Sequence, residues 1–150
     1  MRDRINAALK AAMKDREAQR TCTLRLMLAA LNEKEIAGRG SEEEAGLDDA
    51  AALEVLAKMV RQREESARAF DEGGRPELSR QERDEIRVIR EFMPKPLAPD
   101  EVRAAVQEAI RESEARSIKD MGRVMGVLKA RYQGRMDFGQ AGAAVKAALA

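Results

Sequence analysis

Apolar positions recur along this chain at three- and four-residue spacings, the period of an α-helix with one face turned inward. Ile5, Leu9, Ala12 and Met13 share such a face and predict a first helix over 2–15. A second is expected over 18–36. There Leu24, Met27, Leu28 and Leu31 form one stripe, and Leu26, Ala29 and Ala30 make the opposite side apolar as well. A helix that is apolar nearly all round is expected to be central and buried. Gly38, Gly40 and the acidic run Glu42–Glu43–Glu44 predict a mobile loop after it. Leu53, Leu56, Val60 and Ala67 mark a third helix over 48–70, which the segment Gly73–Gly74–Arg75–Pro76 ends. A fourth, over 79–92, turns Ile86, Ile89 and Met93 inward.

Pro94, Pro96 and Pro99 then interrupt the pattern within six residues. Proline cannot continue a helix and stiffens its neighbours, so this stretch reads as a short rigid linker. Pro99 suits the first position of a fifth helix, reaching to about residue 114, with Val102, Val106, Ala109 and Ile110 on one face. Ser117 and Asp120 have the spacing of a capping box for a sixth helix, which Gly134 ends. Asp137 is placed to cap a last helix running to Leu149. The reading is all-α: an N-terminal helical bundle over 1–93, a Pro-rich linker over 94–99, and a smaller C-terminal three-helix domain over 100–150.

Composition supports the helices. Aromatic residues make up only 3% of the chain and Trp is absent, which disfavours sheets. Charged residues reach 37%, yet the net charge is only +1. Its distribution is uneven. Residues 1–25 carry seven Lys/Arg against three Asp/Glu, and 116–150 carry seven against two, while 26–115 carry fourteen against twenty-two. A polyanion contact is therefore expected to be local, on a basic end. No apolar run approaches the ~20 residues that span a bilayer, and the N-terminus lacks a signal-type apolar stretch. A cytoplasmic protein is expected, with no membrane partner.

Several chemistries lack their residues. There is no His, which removes the commonest general acid–base and the Ser–His and Cys–His nucleophile pairs. Cys22 falls inside the second helix and is read as a small buried hydrophobe. No phosphate-binding loop, dinucleotide fingerprint or nucleophile elbow occurs. No catalytic residue, cofactor or metal is expected.

The sixth helix is the informative one. At about 100° per residue, Met121, Val124, Met125, Leu128 and Tyr132 share the core side. The other side carries Lys119, Gly122, Arg123, Gly126, Lys129, Ala130 and Gln133, so it is both small and basic. An interior glycine costs a helix about 1 kcal/mol relative to alanine. Gly122 and Gly126 lie on the face the core does not use, so core packing does not account for them. Three explanations stand: a close contact with another helix of this chain, docking of a partner's backbone, or approach of a phosphate backbone among Lys119, Arg123 and Lys129.

Three segments then resemble the GatB/YqeY family, in its stand-alone YqeY-like form. They are Met13–Lys14–Asp15 with Thr23–Leu24–Arg25–Leu26–Met27; Arg61–Gln62–Arg63 with Phe70, Arg75 and Phe92–Met93–Pro94–Lys95–Pro96–Leu97; and Asp120–Met121–Gly122–Arg123–Val124–Met125–Gly126 with Gly134 and Asp137. The last is the most specific. The resemblance implies an all-α fold in two parts, related to the tail of the B subunit of glutamine-dependent tRNA amidotransferase, a carbon–nitrogen ligase whose chemistry lies in other domains. By position it makes Lys119, Gly122, Arg123 and Gly126 candidate tRNA contacts, with Lys129 and Arg135 nearby. It implies tRNA, and amidotransferase or other translation proteins, as partners, and it transfers no activity to stand-alone members. The chain departs from the family pattern at Phe138, where a small residue usually follows the Asp, and at Ala98, which replaces a capping residue. The expected function is a non-catalytic tRNA-associated module; the alternative is a module docking a partner helix on the Gly122/Gly126 face.

Overall fold

The computed structural model describes residues 1–38 and 47–150. The loop expected around Gly40 and Glu42–Glu44 lies outside them. The described residues form seven α-helices and one short 3-10 turn, with no strand. Contacts divide the chain into Met1–Met93 and Pro94–Ala150. No described helix is long and apolar enough to cross a membrane.

The first unit holds α1 (Arg2–Lys14), α2 (Ala18–Gly38), α3 (Asp49–Glu72) and α4 (Pro76–Arg90). Helices α3 and α4 form a hairpin, and α2 packs on α1, α3 and α4. The turn between α3 and α4 follows from its glycines. Gly74 takes φ +70°, and Arg75 N–H closes back onto Phe70 C=O at 2.8 Å. That left-handed residue is the usual helix stop. Pro76 does not belong to this stop. It is the first residue of α4, which starts three residues earlier than the apolar pattern indicates. A proline there loses no hydrogen bond, because the first N–H groups of a helix have no internal acceptor. The core comprises Ile5, Leu24, Met27, Leu31, Leu56, Ile86, Ile89 and Phe92, among others. Phe92, in the turn after α4, is buried where the periodicity pointed to Met93. Arg63 bridges α3 to Glu85 of α4 at 3.0 Å with both side chains largely shielded, and Arg90 meets Glu64 at 2.9 Å.

Helix α2 is less buried than its composition suggests. Thr23, Leu24, Met27 and Leu31 are buried, and Thr23 satisfies its hydroxyl by donating to Gln19 C=O at 3.1 Å. Cys22 is exposed, Leu26 is 43% exposed, and Ala29 faces outward. Met13, expected on the core face of α1, is 51% exposed. The reason is geometric: three helices cover only part of the circumference of α2, so one apolar side is left over.

The second unit holds α5 (Pro99–Glu112), the 3-10 turn Ile118–Asp120, α6 (Met121–Tyr132) and α7 (Phe138–Leu149). All three helices pack on one another around Ala105, Val106, Ala109, Val124, Leu128, Ala141 and Val145. Alanine supplies Ala105, Ala109 and Ala141 of that core, so the helices approach closely around few bulky side chains. The stretch before α5 belongs to this unit: Leu97 N–H donates to Arg135 C=O at 2.8 Å, and Leu97 packs against the core. Asp137 caps α7 by accepting from Gly139 and Gln140 N–H at 2.8 and 3.3 Å. Phe138 does not disturb that turn, because its ring packs on the core cluster.

Candidate nucleic-acid interface

The start of α6 is built by Asp120. Its carboxylate accepts from the N–H groups of Arg116 and Ser117 at 3.0 and 3.3 Å, the reach-back half of a capping box. It also pairs with Arg123, one turn on, at 2.7 Å. These contacts, the Arg116 amide first and the Arg123 guanidinium next, hold the Asp120 carboxyl below its ordinary range. The expected cap by the Ser117 hydroxyl gives way to a tight turn, Ile118–Asp120, before the α-helix proper begins at Met121.

From that start α6 turns Val124 and Leu128 fully into the core, with Met121, Met125 and Tyr132 partly buried beside them. Gly122, Arg123, Gly126, Lys129 and Ala130 are exposed, as is Lys119 in the preceding turn. A Cβ built on Gly122 or on Gly126 meets nothing within 4 Å among the described residues. Neither glycine is covered by a helix of its own unit, so packing within that unit does not explain them.

The basic residues differ in their commitments. Lys119 and Lys129 make no ion pair with the described residues, whereas Arg123 is held by Asp120 and Arg131 by Glu112 at 2.6 Å. Arg135 is half-buried: its Nε donates to Lys95 C=O at 3.2 Å, so it secures the Pro-rich segment. The structure thus brings Lys119, Gly122, Arg123, Gly126 and Lys129 onto one exposed surface and gives Arg135 an internal role.

Two acidic residues that the pattern of α6 could not reveal border this surface. Glu112 and Glu114, at the end of α5, line a shallow groove of about 650 Å³ with Arg123, Gly126, Val127 and Ala130. The glycine face is therefore divided. Its edge near α5 is mixed in charge, and its edge along Gly122 and Lys129 is basic. Glu114 sits there with φ +53°, closing α5 through Ala115 N–H to Ile110 C=O at 3.1 Å. The helix stop of α5 thereby places a carboxylate in the groove wall.

Comparison with known proteins gives this geometry a family. Residues 2–149 match the family model described as YqeY-like protein. A relative from Eremothecium gossypii, altered inheritance of mitochondria protein 41, mitochondrial, is 34% identical over 102 residues, which cover 67% of this chain and 54% of the relative. The protein of the same name from Lachancea thermotolerans is 30% identical over 106 residues, covering 69% and 54%. The chain spans about half the length of these curated relatives. With the family match running through all seven helices and the α6 surface just described, this chain belongs to the YqeY-like family.

Proposed function

We propose that the chain is a non-catalytic RNA-associated module whose α6 surface receives the phosphate backbone of a folded RNA of the tRNA class. The observation that carries the reading is the open glycine pair between cations. Gly122 and Gly126 leave bare backbone with nothing above it among the described residues, and Lys119 and Lys129 flank it, exposed. Phosphate contacts of this kind position a protein on RNA by shape and charge without reading bases. A role as accessory to glutamine-dependent tRNA amidotransferase follows from the family resemblance and belongs to the same proposal. So does the cytoplasmic setting; the names of the two yeast relatives place those proteins in mitochondria.

The test is the affinity of the full chain for a tRNA transcript. Gly122→Leu raises a side chain where the phosphate is to lie, and it enters open space in the free protein. RNA affinity is expected to fall by about tenfold or more, the scale of one charge-assisted contact, while thermal stability holds. Unchanged affinity contradicts the assignment.

One observation favours a second reading. The groove floored by Gly126, Val127 and Ala130 is small and apolar, and Glu112 and Glu114 border it. That surface suits a helix with basic flanks better than a phosphate. On this reading Gly126→Leu abolishes a protein complex and leaves RNA binding intact.

A further inference from the structure

The apolar side of α2 that no described helix of its own unit covers forms one wall of a groove of about 680 Å³ against α1. Met13, Cys22, Leu26 and Ala29 supply its apolar surface, and Arg16 and Arg25 stand on its rim. From Ala18 to Ala29 the α2 wall runs about 16 Å, three helical turns. We propose that this groove docks an amphipathic helix of a partner protein, one with an apolar stripe and acidic flanks.

Three observations select that occupant. The exposed side chains are large: Met13 is 51% and Leu26 43% exposed, and they stand together instead of scattered. Paired apolar anchors in a trough three turns long match a helix laid in a groove, whose contacts recur at i, i+4 and i+7. Met13 adds an adaptable, unbranched side chain suited to a binding surface.

The charge is one-sided. No carboxylate among the described residues lines the groove. Elsewhere in this unit some arginines find acidic partners, Arg2 with Glu35, Arg20 with Glu91, Arg63 with Glu85 and Arg90 with Glu64, while Arg61, Arg68, Arg75 and Arg80 form no ion pair with the described residues and line no part of this groove. Arg16 and Arg25 form no ion pair with the described residues; Arg25 reaches only the Met13 sulfur, at 3.8 Å. Two uncommitted guanidiniums beside an apolar trough complement carboxylates on the flank of a docked helix. A second copy of this chain is disfavoured, because a two-fold contact brings two net-positive rims together.

Third, the backbone that carries Arg16 is well defined. Arg16 adopts φ +57°, and its neighbour Glu17 donates its N–H to Ala12 C=O at 2.9 Å, so the turn that fixes α1 against α2 also fixes the rim. This surface lies in the first unit and is independent of the α6 reading.

Cys22 is the chain's one cysteine and lines both this groove and a neighbouring one against α4, so its alkylation, read together with Leu26→Ser, reports occupancy of this groove. The full chain is titrated with a synthetic helix of about 16 residues carrying Leu at i, i+4, i+7 and i+11 and Glu beside them. Maleimide modification of Cys22 is expected to slow about tenfold or more at saturation, and the protection to weaken with salt. Leu26→Ser, and separately Arg16→Glu with Arg25→Glu, are expected to remove the protection while helical content and Tm hold. Three results overturn the proposal. One is equal protection by a scrambled peptide or by its Lys counterpart. Another is protection that survives these substitutions. The third is protection by a tRNA transcript, or by raising protein concentration, where the acidic helix gives none.

Discussion

Glycine at 122 and 126 weakens α6 in the free protein, and that makes both positions informative. Neither needs a left-handed backbone, and a built Cβ meets nothing within 4 Å among the described residues. Gly122→Ala and Gly126→Ala are each expected to stabilise the chain by about 0.5–1 kcal/mol, measured by denaturant unfolding. A loss of stability instead shows that the glycines serve the fold. Glu114 presents the opposite case, a side chain forced to φ +53° at a helix stop. Glu114→Gly is expected to stabilise by roughly 0.5–1 kcal/mol, since glycine adopts this conformation without the Cβ clash. Leu128, fully buried in the small second core, is expected to cost about 2–5 kcal/mol on replacement by alanine.

At the scale of elements, the ends of α5 and α6 carry the testable chemistry. At the start of α5, Glu101 accepts from Ala98 N–H at 3.2 Å, but Ala98 has no oxygen to return the bond. Its backbone is already extended, as an N-cap requires. Ala98→Ser is expected to complete the box and add about 1 kcal/mol. The turn before α6 depends on pH through Asp120. Its folded pKa lies below the unfolded value, so its contribution is complete above the ordinary aspartate range. It disappears as pH falls through the folded value, below about pH 4. Hydrogen exchange at the Arg116 and Ser117 amides is expected to accelerate in that window, and Asp120→Asn to remove the pH dependence.

The helices themselves were legible because each carries a stripe of apolar residues and a Gly, Pro or Asp at its limits. What the pattern misses is a matter of neighbours. Nothing in the spacing of Cys22, Leu26 and Ala29 says that no described helix of this unit will cover that side of α2. Pro76 reads as part of the stop after α3, and the closed turn at Gly74 shows that it instead begins α4. The α6 surface was half legible. Its exposed glycines and lysines follow from the helical wheel. The acidic wall from Glu112 and Glu114, and the internal bond of Arg135, depend on which elements fold beside it.

Across the whole molecule, a net charge of +1 conceals basic ends and an acidic middle. Each unit has its own core, and the surfaces proposed for binding lie on different units. The α6 surface is proposed to meet RNA phosphates through Lys119 and Lys129. The most direct measurement is tRNA affinity against salt concentration for the natural chain and for Lys119→Glu with Lys129→Glu, a pair that leaves the Asp120–Arg123 ion pair intact. Affinity is predicted to fall, and the slope of log K against log salt to become shallower by about 2, one for each phosphate no longer neutralised. Equal affinity and equal slope, in a variant of unchanged Tm, contradict the claim.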